Sequence, residues 1–217
     1  TVPIEHRALE HAVRLNKVQQ EGTYLVLNAY NEHLHFSIYR RKDGTFVRLA
    51  ENVLPGLGTD PRVRALVEIV VAKINNVQHF LSTPEQKEQE YRNLEQYAEG
   101  WLRQLDATRG GRPLHITGVR FSVAPNTFDV SVTAEEVNGR TEIIVRDVVN
   151  EISNFVIKTL SSGEMLRGIL FLGDGFANHE YAKAVTASYR LREEDLIYFR
   201  RCDLSGIIPV YRDINLD

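Results

Sequence analysis

The chain has 217 residues, 43% of them hydrophobic and 25% charged, with a formal net charge of −3. This composition suits a globular domain with enough chain to bury a core, and it excludes a disordered chain, a collagen and a small disulfide scaffold. There is no uninterrupted apolar run of membrane-spanning length, the balance of charge is wrong for a nucleic-acid binder, and the lone cysteine, Cys202, can form neither an internal disulfide nor a cysteine metal cluster, so a cytoplasmic chain is expected.

In chain order, Thr1-Val2-Pro3 leads straight into a helical pattern over 3–20, with Ile4, Ala8, Ala12, Leu15 and Val18 at helical spacing and Gly22 as the stop. A start at Thr1 with no signal peptide reads as a fragment of a longer protein, a trimmed full-length chain being the alternative. Thr23 to Leu27 is an apolar run of strand length. Leu34, Phe36 and Ile38 alternate with polar neighbours, Lys42-Asp43-Gly44 is a hairpin turn, and Thr45 to Glu51 is the partner strand. After a Gly/Pro-rich loop at 54–61, a helix with an apolar middle runs from Pro61 to Phe80. Thr83-Pro84-Glu85 opens another helix to about Leu105, and its charge run from Glu85 to Arg92 reads as a solvated face.

Strands are expected at His115 to Val123 and Phe128 to Val132. Thr133-Ala-Glu-Glu136 is a capping box, Asn138-Gly139 is expected to interrupt the helix it starts, and Thr141 to Leu160 forms a second long helix. Ile169 to Leu172 is a buried strand followed by Gly173-Asp174-Gly175, then a helix over 178–190 with Asn178 as its cap. Leu196 to Phe199 is a last strand, and Ile207 to Tyr211 is irregular. The mixed order predicts an α/β layered fold, with a core lobe from 1–83 and 134–217 and an inserted α+β subdomain at 84–133.

Several of these segments together resemble the second lobe of the DnaK-type heat-shock chaperone ATPase domain, of the actin, hexokinase and heat-shock ATPase superfamily. Val26-Leu27-Asn28-Ala29-Tyr30-Asn31-Glu32-His33 stands where the family has Val-Phe-Asp-Leu-Gly-Gly-Gly-Thr, its second phosphate loop. Leu57-Gly58-Thr59-Asp60 matches its Leu-Gly-Gly-Glu/Asp, and Pro3 to Leu15 resembles the helix before the loop. Tyr97 to Leu105 is similar to the helix that contacts adenine and ribose, Val132-Thr133-Ala134 to an Ile-Thr-Arg junction, and Leu172-Gly173-Asp174-Gly175 to the Val-Gly-Gly-Ser adenosine motif. The resemblance implies an actin-like, ribonuclease H-like fold, ATP or ADP with magnesium as cofactor, and a partner first lobe. It makes Asn28, Gly58, Glu99, Arg103, Gly173, Asp174 and Gly175 the candidate nucleotide contacts.

The chemistry of those positions is degraded. Asn28 is neutral where the family has aspartate, and Tyr30, Asn31 and Glu32 replace three glycines whose bare backbone would close on phosphate oxygens. Glu32 would set a like charge beside a phosphate, and His33 replaces threonine. Phosphoryl transfer needs positioned donors and metal-held oxygens, so no catalytic residue and no ATP hydrolysis are expected. Glu99 and Arg103 remain as ribose or adenine contacts, although Leu102 replaces a lysine and Gly100 an arginine. Gly173 and Gly175 fit either a nucleoside-binding turn or a plain strand-to-helix turn. Two functions follow: a divergent nucleotide-binding lobe, inactive alone, whose partners are the first lobe and ATP or ADP; or a pseudo-ATPase scaffold with a protein partner and no cofactor. An unrelated α/β domain is the third reading. Neither nucleic acid nor membrane is an expected partner.

Other constellations are weaker. His33-x-His35 on a strand suits either a metal pair or two exposed histidines. Cys202 and His179 suit a nucleophile and base, or a buried thiol. Arg109, Arg112, Arg120, Arg200 and Arg201 suit anions, or solvated and paired arginines. Trp101, on a helix with Leu94, Tyr97 and Leu105, reads as core.

Overall fold

The computed structural model describes residues 3–29, 33–108, 111–124, 126–176 and 180–199. In chain order the elements are α1 (Ile4–Arg14), β1 (Gly22–Asn28), β2 (Leu34–Lys42), β3 (Thr45–Leu54), α2 (Pro61–Gln78), α3 (Pro84–Ala107), β4 (Leu114–Arg120), β5 (Thr127–Val132), α4 (Ala134–Thr159), β6 (Leu166–Leu172), α5 (Glu180–Ala187) and β7 (Leu196–Phe199). The chain divides into two units, Thr1–Thr59 with Asp147–Asp217, and Asp60–Arg146. The segment 84–133 lies inside the second unit, which also holds 60–83 and 134–146. No helix among the described residues is long and apolar enough to cross a membrane.

The first unit is built on a five-stranded mixed sheet of order β3-β2-β1-β6-β7, which makes the fold α/β. The hairpins make β1, β2 and β3 antiparallel neighbours, while β1, β6 and β7 run parallel. Burial of β1 on both faces explains its continuous apolar run. Tyr24, Val26, Leu170 and Leu172 face Ala8, Leu9 and Ala12 of α1 in one buried cluster. Leu25, Leu27, Phe36 and Phe171, alternate with these along the strands, are buried on the other face. There Phe36 meets Phe155 of α4 edge-on at 4.9 Å, and Phe171 meets Phe176 at 5.1 Å.

Two expectations about helices need correction. The first helix ends at Arg14 rather than near residue 20, because Asn16 turns left-handed (φ 56°). The amides of Lys17 and Val18 fold back onto the Ala12 carbonyl at 2.8 and 3.3 Å, so Val18 reaches the core from a turn and mimics helical periodicity. Conversely, Asn138-Gly139 does not interrupt α4. Gly139 costs the helix about 1 kcal/mol, and this is offset by buried Val137 and Ile144 and by the buried Thr141 hydroxyl, which donates to the Val137 carbonyl at 2.7 Å.

In the second unit α2 packs on α3, α2 lies against β5 and α3 against β4, with β4 and β5 antiparallel. Asp60 caps α2 by accepting from the Arg62 amide, and Thr83 with Gln86 forms a capping box on α3. The charge run on α3 is a solvated face only in part: Glu85 and Arg92 are exposed, whereas the charges in its middle are not. Glu90 is 1% exposed, and Glu88 pairs at 2.7 Å with Arg64, which also pairs with Glu68 at 2.9 Å. Burial lowers the affinity of Arg64 for its proton, but the hydrogen bonds it donates to Glu88 and Glu68 outweigh this and hold the guanidinium above its ordinary pKa.

Candidate functional site

The parallel strands of the first unit end together, and in open α/β sheets that carboxyl edge is where ligands bind. Ala29, just after β1, donates its amide to the Leu172 carbonyl at 2.8 Å. Gly173, just after β6, donates to the Phe199 carbonyl at 3.0 Å, and Gly175 donates to the Ala29 carbonyl at 3.4 Å. Gly173 is left-handed (φ 95°), which explains its lack of a side chain. Asp174–Phe176 forms a short 3-10 turn. A Cβ on Gly175 would clash with the Gly58 carbonyl oxygen and sit 2.8 Å from the Ala29 Cβ. Asn28, Gly58, Gly173, the backbone of Asp174 and Gly175 therefore meet at one edge. Gly175 is small because chain packs on chain there.

Asn28, the last residue of β1, is 7% exposed. Its Nδ2 donates to Glu5 Oε1 on α1 at 2.8 Å, and its Oδ1 has no hydrogen-bond partner among the described residues. The same carboxylate raises Tyr39, whose hydroxyl burial and the Glu5 charge push up to about 12. A half-buried carboxylate therefore faces Asn28, and it repels further negative charge there.

The histidines divide in the same way. His33 Nδ1 accepts the Gly56 amide at 3.2 Å, which ties the residue to the loop ahead of α2, and its ring lies 6.3 Å from that of His35, tilted. Among the described residues no group of three or more His, Cys, Asp or Glu could hold a metal ion. Tyr30, Asn31 and Glu32, together with Arg109, Asn178, His179, Arg200, Arg201, Cys202 and Ile207 to Tyr211, lie outside the described residues.

Glu99 and Arg103 belong to the second unit and are exposed on α3. They sit one turn apart on one side of the helix. Leu94, Ala98, Leu102 and Leu105 form its buried stripe. Trp101 is not in that stripe. It is half-exposed and stacks on Tyr97, 54% exposed, with ring centroids 6.0 Å apart and planes at 27°. These two rings, with Asn93 of α3 and the chain from Thr117 to Ser122, line a groove of about 750 Å³.

Composition and spacing did not identify two features of this unit. The groove needs two half-exposed rings on a helix whose apolar residues all recur at helical spacing. The Arg64 cluster was partly readable, since Arg64 and Glu68 lie four apart on one helix, but its other carboxylates come from α3. Compared with models of protein families and with curated proteins, the chain matches none.

Proposed function

We propose that the chain is the second lobe of a divergent DnaK-like domain that no longer performs phosphoryl transfer and serves as a scaffold for protein contacts. The observation that carries this reading is the contact of Asn28 with Glu5. An aspartate there would hold metal-bound water, whereas here a neutral amide is spent on a neighbouring carboxylate. The packing of Gly175 on Gly58 adds to it, because the small residue of the turn accommodates protein backbone. The actin-like form of the fold is supported by the meander β1–β3, the parallel β1, β6 and β7, and a Gly turn directly after β6. Its partners on this reading are a first lobe and a protein ligand, and no cofactor is required.

The alternative, a lobe that still binds a nucleoside, has one observation in its favour. Glu99 and Arg103 are exposed and have no ion-pair partner among the described residues, so both are available to polar groups of a ligand. Titration calorimetry with ATP or ADP plus magnesium separates the two. The scaffold reading expects no binding heat. Binding that weakens on Glu99→Ala or Gly173→Asp would overturn it and restore the nucleotide lobe.

A further inference from the structure

The second unit has room for a third strand beside β4, and we propose that an extended acidic peptide of a partner protein occupies it, hydrogen-bonded along the free edge of β4. This deepens the scaffold reading and rests on it. Among the described residues β4 pairs with β5 alone. Beneath the pair lie α2, against β5, and α3, against β4. Packed helices stand about 8–10 Å apart, whereas paired strands are about 4.8 Å apart. The helix layer is thus wider than the strand layer by about 3–5 Å.

The groove of about 750 Å³ lies between the exposed face of α3 and the second half of β4 with the residues that follow it. Thr117, Gly118, Val119, Arg120 and Phe121 all line it in succession. After a bulge at Thr117–Gly118, where Gly118 has φ 71°, buried Val119 and Phe121 alternate with exposed Arg120. Lining by both sets is what a strand shows where it presents its backbone edge. The opposite wall is the exposed face of α3, where the Tyr97–Trp101 stack offers a flat apolar shelf to side chains of an added strand. Tyrosine, tryptophan and arginine are the residue types that carry most binding energy at protein contacts. Strand edges left open to solvent are usually blunted by lysine, proline or a β-bulge; β4 has neither lysine nor proline between Leu114 and Arg120, and its one bulge, at Thr117–Gly118, leaves Val119 and Arg120 in regular register with β5.

Charge selects the partner. Arg120 is exposed, has no carboxylate partner among the described residues, and is the one charged side chain among those lining the groove. Glu90 lies behind the wall, 1% exposed. Its Oε1 accepts the Ser122 amide at 2.9 Å and the Ser122 hydroxyl, and its Oε2 accepts Asn93 Nδ2 at 3.3 Å. Its charge is therefore already met by donors, and an incoming strand meets a cation. β-Augmentation supplies the affinity through main-chain hydrogen bonds, and Arg120 with the two rings supplies the preference for acidic and aromatic side chains.

The test uses the whole chain and fluorescein-labelled peptides of about eight residues, a strand's length. One alternates threonine and glutamate around a central tyrosine. The second has lysine for glutamate. The third is the glutamate peptide N-methylated on alternate amides. By fluorescence anisotropy the glutamate peptide should bind and the other two should bind at least about tenfold more weakly. Arg120→Glu should reverse the charge preference, and Tyr97→Ala or Trp101→Ala should each weaken binding by about tenfold. Far-UV circular dichroism shows that each variant is folded, and Tyr97 and Arg120 are exposed enough to be replaced safely. Equal binding of the charge-swapped or the N-methylated peptide, or no binding at all, overturns the proposal. So does a dimer in sedimentation that Arg120→Glu dissociates, which would make a second copy the occupant. Magnesium-ATP binding by the unmodified chain would overturn the scaffold reading separately, whatever the peptides do.

Discussion

The two units bury their polar groups by different means. In the first, α1 and α4 cover the sheet with apolar side chains, and Asn28 is buried with one amide oxygen unpaired. In the second, whole charges are taken inside but are paired: Arg64, 8% exposed, reaches Glu68, Glu88 and Glu95, and Glu90 is met by Ser122 and Asn93. The first unit is therefore held by packing that does not depend on its polar edge, so residues at that edge can change chemistry while the sheet survives. In the second, charge pairing helps to fix how α2 and α3 meet.

The largest effect should come from breaking that pairing. Arg64→Met keeps the length and apolar stem of the side chain but removes the cation that Glu68 and Glu88 share, leaving Glu68 to Arg140 and Glu88 to Arg92 at 4.0 Å. It should cost about 3–5 kcal/mol, read as a lowered urea midpoint. A cost below about 1 kcal/mol would mean that these charges are solvated in effect and that the two units do not differ in this way.

Gly175→Ala tests the edge of the first unit. Its new methyl meets the Gly58 carbonyl and the Ala29 side chain, so the turn must shift, at a cost of about 1–3 kcal/mol in thermal unfolding. A neutral result would mean that the loop at Gly58 yields and leaves space for a ligand.

Asn28→Asp should lie close to this and should depend on pH. The new carboxyl loses the hydrogen bond to Glu5 and sits beside a like charge in a buried site, so its folded pKa rises. A raised carboxyl pKa leaves stability unaffected at pH 3, where both states are protonated. Stability then falls as pH rises through the ordinary carboxylate value and levels off above the raised one, with a total loss of about 1–3 kcal/mol. Urea melts across that range check the sign, and ATP turnover by this variant would contradict the scaffold reading.

The smallest effect is expected at Glu164, which accepts the Thr23 hydroxyl and the Arg40 guanidinium at 2.7 Å, and whose pKa these two hydrogen bonds lower. A lowered carboxylate contributes stability above its unfolded pKa and loses it as pH falls through the folded one. Glu164→Gln should cost about 0.5–1 kcal/mol at pH 7, and the difference from the unmodified chain should vanish in acid.

Much of the fold was legible wherever local chemistry decides. Asp43-Gly44 places the β2–β3 turn, with Asp43 and Gly44 both at positive φ. The boxes at Thr83–Gln86 and Thr133–Glu136 start α3 and α4. Asn28, Gly58, Gly173 and Gly175 lie together at the sheet edge, which strand ends and Gly turns in the sequence place only one at a time. The groove was not legible, because Trp101 and Leu102 are both apolar residues on one helix and periodicity does not say which will find a neighbour.

The sequence by itself determined where most strands and helices lie and that β1 is buried on both faces. Those are properties of periodicity, capping and side-chain chemistry within a few residues. Only the tertiary structure decided that Glu90 is buried rather than solvated and that Asn28 is bound to Glu5. Each depends on a partner 23 or more residues away in the chain. Burial and pairing belong to what a residue meets, and a local pattern carries no record of that.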